Sequence, residues 1–302
     1  MAHDTHHHHH QQQHGHGHGH GPGHQDGDAP HDEARMAEML DLDAEVLGTY
    51  LDELTAWVGR HAPDAVRTVL DIGAGTGTGS LALARRFPAA EVIAVDRSPL
   101  MLERLRATAD RQGLGGRLRA LAADVDTAWP RTGPVDVAWA ALSMHHFADP
   151  DRVLSDVHAA LNPGGLLTVV EMDSLPRFLP DDLGLGRPGL ESRCHRAMPE
   201  APWSQHPDWR GPLERAGFEI VEQRVMPVAL DPAPAGAGRY ARAFLSGVRG
   251  ALTDRLGADD LATLDRLLAD DGPDALVRRT DLAVRGSRTA WAARRRPDRP
   301  SA

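Results

Sequence analysis

The sequence predicts an α/β fold built on a parallel sheet, and three observations carry that prediction. Short apolar strands alternate with amphipathic helical segments from about residue 66 to residue 171, a pattern that closes through right-handed strand–helix–strand crossovers. The first strand runs directly into a glycine-rich turn, Asp71-Ile72-Gly73-Ala74-Gly75-Thr76-Gly77. Carboxylates stand at the ends of the first three strands, namely Asp71, Asp96 and Asp124. That is the edge of an open α/β sheet at which ligands bind.

Each element follows from its local pattern. From Asp32 onward Val46, Leu47, Tyr50, Leu51, Leu54, Trp57 and Val58 recur at the three- and four-residue spacing of one helix face. Strands are predicted over 68–72, 91–95, 118–122, 135–140 and 166–171, with helices over 78–87, 99–112 and 150–161 between them. Gly113 follows its helix where a left-handed terminal residue belongs. Residues 172–207 are rich in proline, glycine and charge, and the alternation pauses there. A helix over 208–216 and a strand over 218–226, stopped by Pro227, come next. A helical pair over about 238–270 presents Tyr240, Phe244, Val248, Leu252 and Leu256 on one face, and a last strand spans 287–293. Arg294–Arg296 reads as a solvated end rather than a site for an anion.

The predicted organisation is a tail over residues 1–31 and one domain over 32–302. That domain has a core at about 66–171 and cap insertions at about 172–216 and 237–272. The tail carries His6, His7, His8, His9 and His10, then a glutamine run and alternating His-Gly. It has almost no apolar residue to offset the entropy of ordering, so it is expected to be disordered. Neutral imidazoles so clustered can chelate a divalent metal, although a solvated tail with incidental metal affinity is the favoured reading.

Composition narrows the function classes. The chain has 302 residues and a net charge of −10 with histidines neutral, which repels a phosphate backbone, so no nucleic-acid partner is expected. Lysine is absent altogether, which removes Schiff-base and lysine-base chemistry. Cys194 is the single cysteine, so no internal disulfide forms and a reducing, cytoplasmic setting is expected. The longest apolar runs fall far short of the ~20 residues that span a bilayer, so no membrane partner is expected either.

The glycine-rich turn lets the backbone reverse sharply and lets a ligand approach the main chain. Asp96 follows Gly73 by 23 residues, at the end of the second strand, where a carboxylate accepts hydrogen bonds from ribose hydroxyls. Its competing use as a helix cap is already filled by Ser98 before Pro99. A nicotinamide fingerprint fails because the third glycine is Thr78 or Ser80 in either register, and a P-loop fails for want of its lysine.

On these residues the chain resembles class I S-adenosylmethionine-dependent methyltransferases, in particular the ubiquinone/menaquinone-type small-molecule branch. Two further stretches carry the likeness: Leu142-Ser143-Met144-His145-His146-Phe147 after strand four, and Leu161-Asn162-Pro163-Gly164-Gly165 before strand five. The resemblance implies a Rossmann-like, seven-stranded, mostly parallel sheet with helices on both faces and extra helices at both ends. It implies that Asp71, Gly73, Ala74, Gly75 and Gly77 hold the methionine part of S-adenosylmethionine. Asp96 would take the ribose, Arg97 and Met101 would flank the nucleoside, and Asp124, Val125 and Ala140 would complete the site. The implied reaction is methyl transfer to a small organic acceptor. The alternatives are a non-catalytic metal-binding or regulatory protein that keeps the fold, and a protein or peptide methyltransferase.

Methyl transfer from a sulfonium needs alignment and exclusion of water more than covalent help. His145 and His146, just past strand four, are the candidate general bases, although a pair that caps a helix or packs against the cofactor is the favoured reading. Tyr50, Arg177 and Phe178 are the candidate acceptor contacts, with His195 and Trp203 beside them; Tyr50 lies on the apolar helix face, where core packing is the favoured reading, and Cys194 and His195 fit packing or surface roles. The helical additions at both ends fit either lids over the site or a homodimer interface.

Overall fold

The computed structural model describes residues 29–199 and 208–296. The His-rich tail and its five-histidine run, Trp203, and the last residues of the chain lie outside these. Seven strands form one sheet: β1 (Thr68–Ile72), β2 (Glu91–Asp96), β3 (Leu118–Ala122), β4 (Val135–Ala141), β5 (Leu161–Met172), β6 (Phe218–Leu230) and β7 (Val284–Arg295). Their order is β3-β2-β1-β4-β5-β7-β6. The first five are parallel, and β7 runs antiparallel to both β5 and β6. The order steps outward from β1 in opposite directions, to β2 and to β4, and this reversal opens a crevice at the carboxyl ends of β1 and β4.

Helices cover both faces, as strands buried on two sides require. On one face α5 (Pro150–Ala160) and α7 (Arg210–Arg215) set Leu154, Val157 and Leu213 against Leu70, Ile72, Ala138 and Trp291. On the other, α2 (Gly48–His61), α3 (Thr78–Arg86) and α4 (Pro99–Arg111) bury Trp57, Val58, Leu83, Leu102 and Leu105. The N-cap of α4 is Ser98, whose Oγ accepts from the Met101 N–H at 3.1 Å, with Pro99 at the first helical position.

A second apolar core lies beyond the sheet's carboxyl edge. There α1 (Ala29–Val46), α6 (Leu190–Ala197), α8 (Ala237–Ala251) and α9 (Ala258–Leu268) bury Leu42, Cys194, Tyr240, Leu245 and Leu264 around Phe178. The single N-terminal helix face expected from the pattern is divided here. A break at Leu47 sends Val46 and Leu47 into this second core and Leu54, Trp57 and Val58 onto the sheet. Gly48, a weak helix former, opens α2 at the break.

Three further expectations are corrected. Strand β6 does not stop at Pro227 but continues to Leu230, with Pro227 opposite Ser287. It lies at the sheet's edge, where the missing N–H costs no ladder bond to a second neighbour. Strand β5 begins at Leu161 rather than 166, because residues 162–165 form an irregularity between the pairs Val135–Leu161 and Val137–Leu166. Arg294 and Arg295 are not a solvated end: Arg294 donates to the His61 carbonyl at 2.9 Å and Arg295 to the Leu161 carbonyl, tying α2 and the start of β5 to β7.

Candidate active site

The glycine-rich turn is held from both sides. The Gly73 and Ala74 N–H groups donate back to the Val95 carbonyl at 2.9 and 3.0 Å, folding the turn over the end of β2. Gly73 has φ 71°, and a Cβ there would sit 2.5 Å from the Ser143 Cβ. Ser143 Oγ in turn donates to the Ile72 carbonyl at 2.7 Å. Gly77, at φ 90°, leads into α3, and its Cβ would strike Leu105 of α4 at 2.4 Å. Both positions therefore exclude a side chain twice over, by backbone conformation and by space.

The three carboxylates behave differently. Asp96 accepts from the Gly75 N–H at 2.8 Å with one oxygen and from the Ser98 N–H at 2.8 Å with the other. A carboxylate has about four lone-pair sites, so each oxygen can accept once more. Asp124 is exposed and accepts from the Asp126 N–H and the Thr127 hydroxyl. Asp71 is 2 % exposed, and its one side-chain partner among the described residues is the Ser80 hydroxyl at 2.6 Å. Burial, reinforced by the charge of Asp96 and opposed by the Ser80 bond, pushes Asp71 up to about 7. A carboxyl so poised gains most from a cation placed beside it.

These groups share one cavity of about 720 Å³, within the usual range for a small-molecule site. Asp71, Gly73, Ala74, Gly75, Asp96, Arg97, Met101, Asp124 and Val125 all line it, as do Tyr50 and His146. Gly77 lies beneath, in contact with α4. Ala140 is placed elsewhere: side chains alternate along a strand, so Trp139 and Ala141 reach the cavity while Ala140 joins the core on the opposite face. Arg177 and Phe178 also lie apart from it. Arg177 donates to Ser192 Oγ at 2.9 Å, and Phe178 is fully buried in the second core, edge-on to Tyr240 at 5.0 Å.

The two histidines after β4 have separate surroundings. His145 is buried, its Nδ1 2.6 Å from Glu171 Oε2, and the other Glu171 oxygen accepts from the Met144 N–H at 3.0 Å. This pair fixes the turn that holds His146 and Phe147 at the cavity wall. The His146 ring lies 4.0 Å from that of His145. Burial chiefly, then the neighbouring His145 and Arg97, lower His146 to about 4, so it is uncharged at neutral pH. His195 is lowered to about 4 by burial and Arg177, and burial raises the Cys194 thiol to about 11; neither residue lines the cavity.

Sequence reasoning missed Glu171, Asp43 and Arg288. Asp43 and Arg288 line the end of the cavity away from Asp124, and they meet through an Arg288 Nη2–Asp43 Oδ1 hydrogen bond at 2.6 Å. The one sequence signal for Arg288 was a charge at the head of the apolar run Ala290-Trp291-Ala292-Ala293. Among the described residues no group of three His, Cys, Asp or Glu side chains is placed to hold a metal ion. No helix among them is long and apolar enough to cross a membrane.

Residues 69–165 match a family described as a methyltransferase domain. The chain is similar to the malonyl-[acyl-carrier protein] O-methyltransferase of Laribacter hongkongensis, 39 % identical over 36 % of this chain and 37 % of that protein. It is similar also to the demethylmenaquinone methyltransferase of Thermus thermophilus, 35 % identical over 37 % of this chain and 50 % of that protein. The matched stretch thus spans between a third and a half of these relatives' own length. A solved structure of a candidate type II methyltransferase from Anaeromyxobacter dehalogenans shares the fold. It aligns with a TM-score of 0.53 and 23 % identity, over 82 % of this chain and 97 % of that one.

Proposed function

We propose that this chain, which carries a methyltransferase domain of the class I, S-adenosylmethionine-dependent type, transfers the methyl group of that cofactor to a small organic acceptor. The observation that carries the reading is one continuous cavity. It joins the strand-end carboxylates and the glycine turn to an apolar chamber walled by Leu47, Leu51, Leu54, Trp139 and Val170. The residues present fit the cofactor: Asp96 has acceptor sites left for two ribose hydroxyls, and buried Asp71 lacks the cation that an amino-acid ammonium would supply. Both relatives are named as methyltransferases, one acting on an acyl-carrier-bound malonyl group and one on demethylmenaquinone.

When bound, S-adenosylmethionine supplies an electrophilic methyl on a sulfonium. The remaining work belongs to the chain. Asp96 anchors the ribose while bracing the Gly75 N–H, so cofactor and turn are ordered together. Asp124 and Val125 flank the base. Asp71 takes the ammonium. The apolar walls exclude water from the line of transfer. His146, neutral at pH 7, adds no charge to oppose the sulfonium and can accept a hydrogen bond from the acceptor. His145 positions it through Glu171. A reducing, cytoplasmic setting belongs to the same reading, supported by the use of a single, buried cysteine.

The test is transfer of a radioactive methyl from S-adenosylmethionine into a small-molecule extract, with protein and nucleic-acid fractions as parallel acceptors. Label in the small-molecule fraction supports the proposal. Label confined to protein, or no transfer despite cofactor binding, overturns it.

A pH dependence follows from Asp71. Its folded-state value, about 7, lies above the ordinary carboxyl value, so the free protein holds a proton that the unfolded chain has already released between about pH 4 and 7. Stability of the free protein is therefore expected to fall as pH rises through that window. Cofactor affinity is expected to move the opposite way, because an ammonium needs the ionised carboxylate. Binding of S-adenosylhomocysteine should strengthen by roughly tenfold or more from pH 5.5 to 8 and level off above, and Asp71→Asn should flatten the profile. Calorimetric titration across that range checks this; an unchanged slope in the variant would remove Asp71 from the ammonium site.

A further inference from the structure

The end of the cavity away from Asp124 holds a polar cluster that the cofactor reading leaves unused. Along β7 side chains alternate, so Arg288 shares a face with Ala290 and Ala292, which pack with Trp139 and Val170. The pairing of Met172 with Arg288 sets it beside the last residue of β5, at the strand's carboxyl end. The cavity thus runs along the sheet edge from β1 across β4 and β5 to a guanidinium, roofed by α1 and α2.

That guanidinium is 13 % exposed. Its one hydrogen bond among the described residues goes to Asp43, which also accepts from the Tyr240 hydroxyl at 2.7 Å. An arginine carries five N–H donors in a rigid fork, so donors are left over at the cavity wall. The Tyr50 ring lies 5.0 Å beneath the guanidinium carbon, and its buried hydroxyl, close to that guanidinium, meets no partner among the described residues in good hydrogen-bond geometry. Burial opposes the charge on Arg288, while Asp43 and the two tyrosines hold it, and the net effect keeps it firmly protonated. Tyr50 is pushed up to about 12 by burial, with Arg288 opposing, so at neutral pH it is a donor and not an anion. The cluster therefore offers hydrogen-bond donors between apolar walls, on a guanidinium whose charge Asp43 balances. Arg97, the cavity's other arginine, sits just after β2 with the nucleoside-side residues.

We propose that the methyl acceptor is a largely apolar small molecule bearing an acidic oxygen, a carboxylate or a phenolate, that docks on Arg288 and the Tyr50 hydroxyl. Asp43 and Tyr240 hold the guanidinium in place for it. The inference rests on the methyltransferase reading and names the acceptor class for that same site. A cationic acceptor meets Arg288 as a like charge. A neutral one leaves the guanidinium donors poorly matched.

The experiment uses the full chain saturated with S-adenosylhomocysteine, at pH 8, titrated with 1-naphthoate, 4-nitrophenolate, 1-naphthamide and 1-naphthylmethylammonium, and followed by tryptophan fluorescence or calorimetry. At least one anion is expected to bind roughly tenfold or more tighter than the amide, with the ammonium weakest. Preference for naphthoate assigns a carboxylate acceptor, and preference for nitrophenolate a phenol. Arg288→Met is expected to erase the preference, and Tyr50→Phe to reduce it severalfold, while S-adenosylhomocysteine affinity stays within about twofold. Because Arg288→Met strands Asp43, the double variant Asp43→Asn/Arg288→Met provides a neutral replacement if the single one fails to fold. Equal affinity across the four probes, no saturable binding of any, or a preference that survives loss of Arg288 overturns the proposal. Failure of the wild-type chain to bind S-adenosylhomocysteine at all instead overturns the cofactor reading beneath it.

Discussion

Replacing Asp96 with alanine is expected to lower affinity for S-adenosylmethionine and S-adenosylhomocysteine by about a hundredfold or more. Hydrogen bonds to a charged group are worth roughly 1.5–3 kcal/mol each, and two ribose hydroxyls would be lost together. The same substitution strips the acceptor from the Gly75 and Ser98 N–H groups, loosening the turn that lines the site. Asp96→Asn, which keeps one oxygen acceptor, should fall between wild type and alanine. Calorimetric titration of both ligands measures the loss directly. Wild-type affinity in the alanine variant would assign Asp96 to shaping the turn alone and remove its role toward the ribose.

Glu171→Ala is expected to be the most destabilising single change near the site. Glu171 is 3 % exposed, and its two oxygens serve the Met144 N–H and the His145 ring. Its removal leaves a main-chain donor and a buried imidazole without their acceptor. Each buried group so stranded costs about 1–3 kcal/mol. Glu171→Gln keeps the shape and one acceptor oxygen, so a smaller cost is expected. Urea denaturation reads the difference as a lower midpoint with an unchanged slope. The damage should extend to binding, because the turn held by Glu171 carries His146 and abuts Gly73 through Ser143. An unchanged midpoint would mean that the pair contributes no net stability.

Much of the glycine-turn end of the cavity was legible because its signals are local. Asp71, Gly73, Gly75 and Gly77 fall within seven consecutive residues, and positive φ at three of the glycines is a backbone demand that a sequence displays openly. Asp96 and Asp124 are placed by strand ends, which hydrophobic patterning marks. Ala140 shows the limit of that reasoning. A strand end could be located, but which of two alternating neighbours faced the cavity depended on register with β1 and β5. Arg177 and Phe178 fail for a related reason: a loop after β5 can fold toward the cavity or into the second core, and here helices α6 and α8 capture it.

The sequence by itself determined the alternation of strands and helices, the glycine turn, and the three strand-end carboxylates, because each depends on spacing within a single element or turn. Only the tertiary structure decided the strand order, the edge position that lets Pro227 remain in β6, and the division of the N-terminal helix between two cores. It alone joined Asp43 to Arg288, 245 residues apart, and His145 to Glu171. The physical reason is range. Propensity and periodicity act over a few residues, whereas a buried charge finds its partner only after distant helices and strands have packed. The Arg288 end of the cavity, walled by α1, α2 and β7, therefore left almost no trace in the order of residues.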